Sequence, residues 1–191
     1  DMVDPEARRD MSDVLEAADL AACIVESLSA LLKLDGPQEP ITWFPLDMVD
    51  LVREAVARPA MQRHVRALLP SSPVNVAGDR GALRQALTDI LLNARRMTDG
   101  KSTVDIRIET RGDRVALSVI SRGIGVPEVL RPRLLVPFGV VDLRQERVPV
   151  AAVGLAYAAR TVERHGGELV LATEPDGGLA VRVVLPVVNP G

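Results

Sequence analysis

Leu117–Glu128 reads LSVISRGIGVPE, and its two halves ask for different backbones. The first half continues an alternation in which Val115, Leu117 and Val119 share one side, the pattern of a half-buried strand. The second half sets Gly123 and Gly125 in a G-x-G pattern with Pro127 close behind. A strand that opens into such a loop allows backbone to come close to a phosphorylated ligand.

Working outward, Val104, Ile106 and Ile108 form a second alternating run. TRGDR (110–114) joins the two as a hairpin. Before it, RGALRQALTDILLNARRMT (80–98) carries a helical period, with Asp79 placed to cap it. After it come a short helix and turn over 127–138, then a helix over 150–165 that stops at His165-Gly166-Gly167. ELVLATE (168–174) and LAVRVVLP (179–186) form a last hairpin around PDGG. Upstream, ITWFPLD, VRALLP and VNVAG read as short strands. MVDLVREAVARPAMQRHV (48–65) reads as a helix broken near Pro59. The fold expected is α+β: helices on one face of a mainly antiparallel sheet, a two-layer α/β sandwich.

A long helix is expected ahead of it. Over 5–34, Val14, Ala17, Ala21, Ile24, Leu28 and Leu31 recur at three- and four-residue spacing, and Leu20, Val25 and Leu32 widen the seam. A seam this wide suits a helical bundle, completed by another helix or a second copy of the chain, or packing on the chain's own second domain. DGPQEP (35–40) is a linker, so the division expected is residues 1–36 and 37–191.

Composition narrows the function. Apolar residues are 47% of the 191, ordinary for a packed soluble protein. The aromatics are Trp43, Phe44, Phe138 and Tyr157, too few to stack nucleic-acid bases. A net charge of −3 with scattered cations disfavours phosphate-backbone binding. One cysteine, Cys23, excludes an internal disulfide, and His64 and His165 lie too far apart for a histidine metal motif. No apolar run has the length of a membrane span. The chain starts at Asp1 rather than Met, which suggests an excised or processed piece.

Chemistry concentrates on the helix at 80–98. Leu83, Leu87, Ile90, Leu91 and Ala94 make its apolar stripe. Asp89, Asn93 and Arg96, at i, i+4 and i+7, share another face. Asn93 offers a neutral oxygen to a hard cation such as Mg²⁺, and Arg96 a partner for phosphate. The alternative is a solvated helix face, the ordinary meaning of such a stripe.

The order of these pieces resembles a known family. Residues 79–186 resemble the ATP-binding domain of sensor histidine kinases, in the superfamily shared with gyrase and heat-shock chaperone ATPases. DILLNARRMT (89–98) is similar to that family's asparagine box, SVISRGIGVPE (118–128) to its first glycine box and LVPF (135–138) to its phenylalanine box. VGLAYAARTVERHGGELVLAT (153–173) is similar to its second glycine box and following strand, and residues 5–57 to its second dimerisation helix and the lead into the nucleotide domain. The resemblance implies a Bergerat-type ATP site with Asn93 on Mg²⁺ and Arg96 facing phosphate. Ser121, Gly123, Gly125, Gly154 and Leu155 would line the cofactor, if any nucleotide binds.

The departures matter as much. Ser121 stands where the family's acid accepts the adenine amino group, and Met97 where an aromatic is usual. Of three usual glycines at Val150, Ala152 and Gly154, only the last is present. The lid segment 139–152 is short and valine-rich. Asp89 falls where hydrolytic members of the superfamily carry a water-orienting acid; an ordinary solvated or ion-paired carboxylate is the competing reading. His165 reads as a helix-end residue. No phosphoacceptor histidine sequence occurs.

Three functions are therefore expected. The first is a two-component signalling module with a degenerate ATP site, a pseudokinase. It would act as a homodimer through 5–34 and through contacts with a response regulator or partner kinase. The others are an active kinase fragment lacking its phosphoacceptor helix, and a phosphotransferase or adaptor of the same shape that binds no nucleotide. Neither nucleic acid nor, in this fragment, membrane is expected as a partner. The expected location is cytoplasmic, including the cytoplasmic part of a membrane-anchored sensor.

Overall fold

A computed structural model describes residues 43–57, 61, 65–98, 102–123, 125–137, 152–175 and 177–188, with separate positions between 11 and 32. Strands β1 (Phe44–Asp47) and β3 (Asn75–Gly78) form an antiparallel pair. Five more strands make the main sheet, in the order β2-β4-β5-β7-β6. These are β2 (Val65–Leu68), β4 (Val104–Arg111), β5 (Arg114–Ser121), β6 (Glu168–Thr173) and β7 (Leu179–Pro186). Among the described residues only the edge strand β2 runs parallel to its neighbour, β4; the other pairings are antiparallel.

The alternation decides which face is covered. Ile106 and Ile108 of β4, Leu117 and Val119 of β5, and Val181 and Val183 of β7 are all buried. Helices α1 (Met48–Val56), α2 (Arg80–Arg96) and α4 (Ala152–Arg164) lie on that side, and their buried Leu51, Ile90 and Val162 belong to the same core. A turn of 3-10 helix at Glu128–Leu130 runs into the one-turn α3 (Arg131–Leu134). This is the two-layer sandwich that the sequence predicts.

Two aspartates start helices as their type requires. Asp47 accepts from Val49 N at 2.9 Å and from Val74 N at 3.0 Å, so one carboxylate caps α1 and ties it to the chain before β3. Asp79 accepts from Ala82 N at 2.9 Å at the start of α2.

The described positions of the first segment, such as Val14, Val25 and Leu31, are helical. Val14 and Val25 are exposed, whereas Leu31 joins the core. The other residues of 5–34, the linker, His64, Phe138, Val150 and most of the lid segment lie outside the described residues. Among the described residues no helix is long and apolar enough to cross a membrane, and no cluster of His, Cys, Asp and Glu could hold a metal.

Candidate functional site

The polar stripe on α2 is not a solvated face. Asp89 is 1% and Asn93 5% exposed. Helix α2 is buried twice over: its leucine stripe meets the sheet, and its Asp89–Asn93 side meets α4. Gly154 permits the second contact. A methyl group there would lie 3.1 Å from Asp89 Cβ and 3.3 Å from Asn93 Nδ2. The missing side chain lets the first turn of α4 sit directly against the two polar residues.

Their hydrogen bonds differ. Asn93 Nδ2 donates to the Asp89 carbonyl at 2.8 Å, and Gln85 Nε2 donates to Asp89 Oδ1 at 3.1 Å. Asn93 Oδ1 is buried and, among the described residues, has no hydrogen-bond partner. A buried acceptor without a partner costs about 1–3 kcal/mol, so it asks for a ligand. A neutral amide oxygen of this kind suits a hard divalent cation. Burial pushes the phenol of Tyr157, within the same α4, above its ordinary pKa, and the nearby Asp89 charge adds to the effect.

The G-x-G loop joins this corner at the end of α2. Thr98, just past the helix, bridges Gly123 in an antiparallel contact. Gly123 has φ of 143°, a backbone that disfavours other residues. Arg96, in the last turn of α2, is half-buried. The Leu155 side chain is 1% exposed and belongs to the core, as does Met97.

Ser121 ends β5 and is 1% exposed. Its Oγ donates to the Leu179 carbonyl of β7 at 3.0 Å. The proton is thereby committed, and the oxygen can offer only lone pairs to anything before it. Gly178 makes the close approach possible. It has φ of 93°, and a methyl group there would lie 2.1 Å from the Ser121 carbonyl. Gly125 packs on the same turn, with its missing methyl position 3.7 Å from Gly178 N. The sequence reading took Gly177-Gly178 as turn residues and missed this second role.

A second unforeseen group flanks the loop. Asp105 of β4 is 1% exposed, though its alternation places it on the sheet's outer side. Arg66 covers it with two bonds, at 2.8 and 2.7 Å, and Arg122 adds a third contact at 3.1 Å. Arg122 stands between Ser121 and Gly123, so the pair fixes where the loop leaves the sheet.

At the far end of the helix pair, His165 is 2% exposed. Asp79 N donates to His165 Nε2 at 3.0 Å, and Nδ1 lies 2.6 Å from the Thr161 carbonyl, to which it must donate. Trp43 meets the ring edge-on, with centroids 5.6 Å apart. Burial lowers the His165 pKa from its ordinary value. It is a helix-end packing residue, as its sequence position suggests.

Comparison with known proteins agrees with this geometry. Residues 78–189 match the family model described as histidine kinase-, DNA gyrase B-, and HSP90-like ATPase. The probable sensor histidine kinase TcrY of Mycobacterium tuberculosis is 34% identical over 177 residues, covering 90% of this chain and 37% of that protein. The adaptive-response sensory kinase SasA of Prochlorococcus marinus is 32% identical over 126 residues, 64% of this chain and 34% of that one. The chain thus spans roughly a third of the length of these relatives. In fold, it resembles full-length ShkA, solved with AMPPNP, at a TM-score of 0.74 and 22% identity, over 100% of this chain and 41% of that one. The mycobacterial sensor histidine kinase MprB superposes with a TM-score of 0.66 at 24% identity, over 76% of this chain and 98% of that one. The match over more than half of its length places the chain in the histidine kinase-, DNA gyrase B- and HSP90-like ATPase family, and the relatives it resembles are named as sensor or sensory kinases.

Proposed function

We propose that this chain is the signalling core of a two-component protein whose ATP site binds nucleotide weakly or not at all. On this reading the protein is a homodimer through the helix at 5–34, residues 37–191 form the nucleotide domain, and its output is contact with a response regulator or partner kinase in the cytoplasm. The observation that carries it is Ser121. Its buried hydroxyl is bonded to Leu179 O, and it presents a neutral, short acceptor where the family resemblance expects a carboxylate. Loss of a charge-assisted hydrogen bond costs roughly 1.5–3 kcal/mol, about ten- to a hundredfold in affinity. Val150 and Ala152, in place of glycines, act in the same direction by stiffening the backbone.

A second reading, an active kinase fragment, is favoured by the other end of the same corner. Asn93 Oδ1 is a buried oxygen without a partner, and it fits a Mg²⁺ ion. Asn93 would hold the cation beside the first turn of α4, which Gly154 lets pack directly against it. ATP, when bound, supplies the transferable phosphoryl group. Isothermal titration of the chain with a non-hydrolysable ATP analogue and Mg²⁺ separates the two. The first reading expects a dissociation constant on the order of 1 mM or weaker. Binding at a few micromolar would overturn it in favour of the second.

A further inference from the structure

The sheet face opposite the helices carries an ordered charge pattern. Register fixes which side chains stand abreast there. Arg111, Arg114 and Pro186 form one row across β4, β5 and β7, and Glu109, Ala116 and Val184 the next. Arg107, Ser118 and Arg182 form the third. These rows line a shallow trough of about 370 Å³, bordered at β6 by Glu174. Four arginines there face two glutamates, in a chain whose net charge is −3.

The arginines are not equally occupied. Arg111 pairs with Glu109 at 3.1 Å, and Arg114 donates to the Gly166 carbonyl at 3.1 Å. Among the described residues Arg182 reaches only Ser118 Oγ, at 3.5 Å. Arg107 is exposed and has no ion pair among the described residues. Rows one and three are four residues apart along the strands, roughly 13 Å, with the apolar pair Ala116 and Val184 between them.

We propose that this face docks an extended acidic segment of a partner protein. That segment carries carboxylates at i and i+4 with an apolar side chain at i+2. In an extended chain, i, i+2 and i+4 point the same way and span the same distance as the rows. The carboxylates meet Arg107 and Arg182 at one end and Arg111 and Arg114 at the other, and the apolar residue sits on Ala116 and Val184. A nucleic acid fits less well. Its regularly spaced phosphates would meet Glu109 in the middle row, where the peptide sets an uncharged side chain, and the described lining of the trough holds no aromatic side chain to stack a base.

The test is fluorescence anisotropy with the full chain and a labelled twelve-residue peptide holding two Glu-Ser-Val-Ser-Glu repeats. The probes for comparison are a peptide of the same composition with its glutamates adjacent, and a single-stranded oligonucleotide of similar charge. We expect binding on the order of 100 µM at low salt, weakened roughly fivefold at 0.3 M salt. Arg107→Glu with Arg182→Glu weakens it at least about tenfold. Arg84→Glu with Arg133→Glu makes the same charge change on exposed helix positions elsewhere and alters it less than about twofold. If the first pair of reversals disturbs the circular dichroism spectrum, Arg107→Gln with Arg182→Gln takes its place, with a loss of about threefold. Equal binding of the rearranged peptide, tighter binding of the oligonucleotide, no peptide binding, or indifference to the Arg107 and Arg182 changes each overturns the proposal.

Discussion

The two ends of the α2–α4 pair are built on opposite principles. Around His165, both ring nitrogens are bonded, Trp43 lies against the ring edge, and Gly78 lets the strand pass so close that a methyl group would lie 2.2 Å from the ring. Around Asn93, a buried oxygen has no partner among the described residues, beside a glycine whose missing side chain lets α4 pack close. The first end is finished by folding. The second leaves a buried acceptor unmet among the described residues. Hydrogen bonding is complete at one end of the helix pair and incomplete at the other, about a helix length away.

The contrast is broken most directly at the finished end. His165→Ala removes two buried hydrogen bonds and leaves a void, so urea unfolding should show a loss of about 3 kcal/mol. Asn93→Ala should change stability by less than about 1 kcal/mol, because it removes one bond and one unsatisfied oxygen together. A comparable loss from the two variants in parallel urea titrations would erase the distinction.

Acid provides the next largest effect. The folded-state pKa of His165 lies below 6.5, its ordinary value, so the unfolded chain takes up the proton first. Stability is therefore full above 6.5 and declines as pH falls below it, by at most about 1.4 kcal/mol per pH unit. Denaturation midpoints measured from pH 7.5 to 5.5 should show that slope, and the slope should diminish in His165→Gln.

An effect of similar size sharpens the view of the open end. Ser121→Asp restores an acid but loses the donor to Leu179 O and sets a carboxylate against a carbonyl. It should lower stability by about 1–2 kcal/mol and improve Mg²⁺–nucleotide affinity less than tenfold, read by calorimetry. Tight binding from that single change would make Ser121 the whole defect and clear the second glycine segment. Ser121→Ala, which deletes the bond without adding charge, should cost about 1 kcal/mol by the same urea titration.

Much of this architecture is written locally. The alternation through Val115, Leu117 and Val119 specifies β5 and its buried side, and Asp79 announces the start of α2. What is not local could not be read. A single helical period marks one apolar face and leaves open whether Asp89 and Asn93 meet a ligand or solvent; the helix that covers them begins about sixty residues later. Gly154, a glycine within a helical pattern, was the available signal of close approach. Asp105 fell on the outward alternation of β4, and nothing nearby showed that Arg66 and Arg122 would seal it. Strand β2 is only four residues long, and its parallel place at the sheet edge depends on β4, not on its own pattern.

The His165 lock has an evolutionary consequence. Because its histidine and the neighbouring glycines keep the helix pair assembled whether or not a ligand is ever held, purifying selection for a folded protein would preserve them after turnover had ceased to matter. Drift would then spare this corner while wearing away the opposite one. Descendants could remain recognisable as kin long after they had abandoned the ancestral reaction.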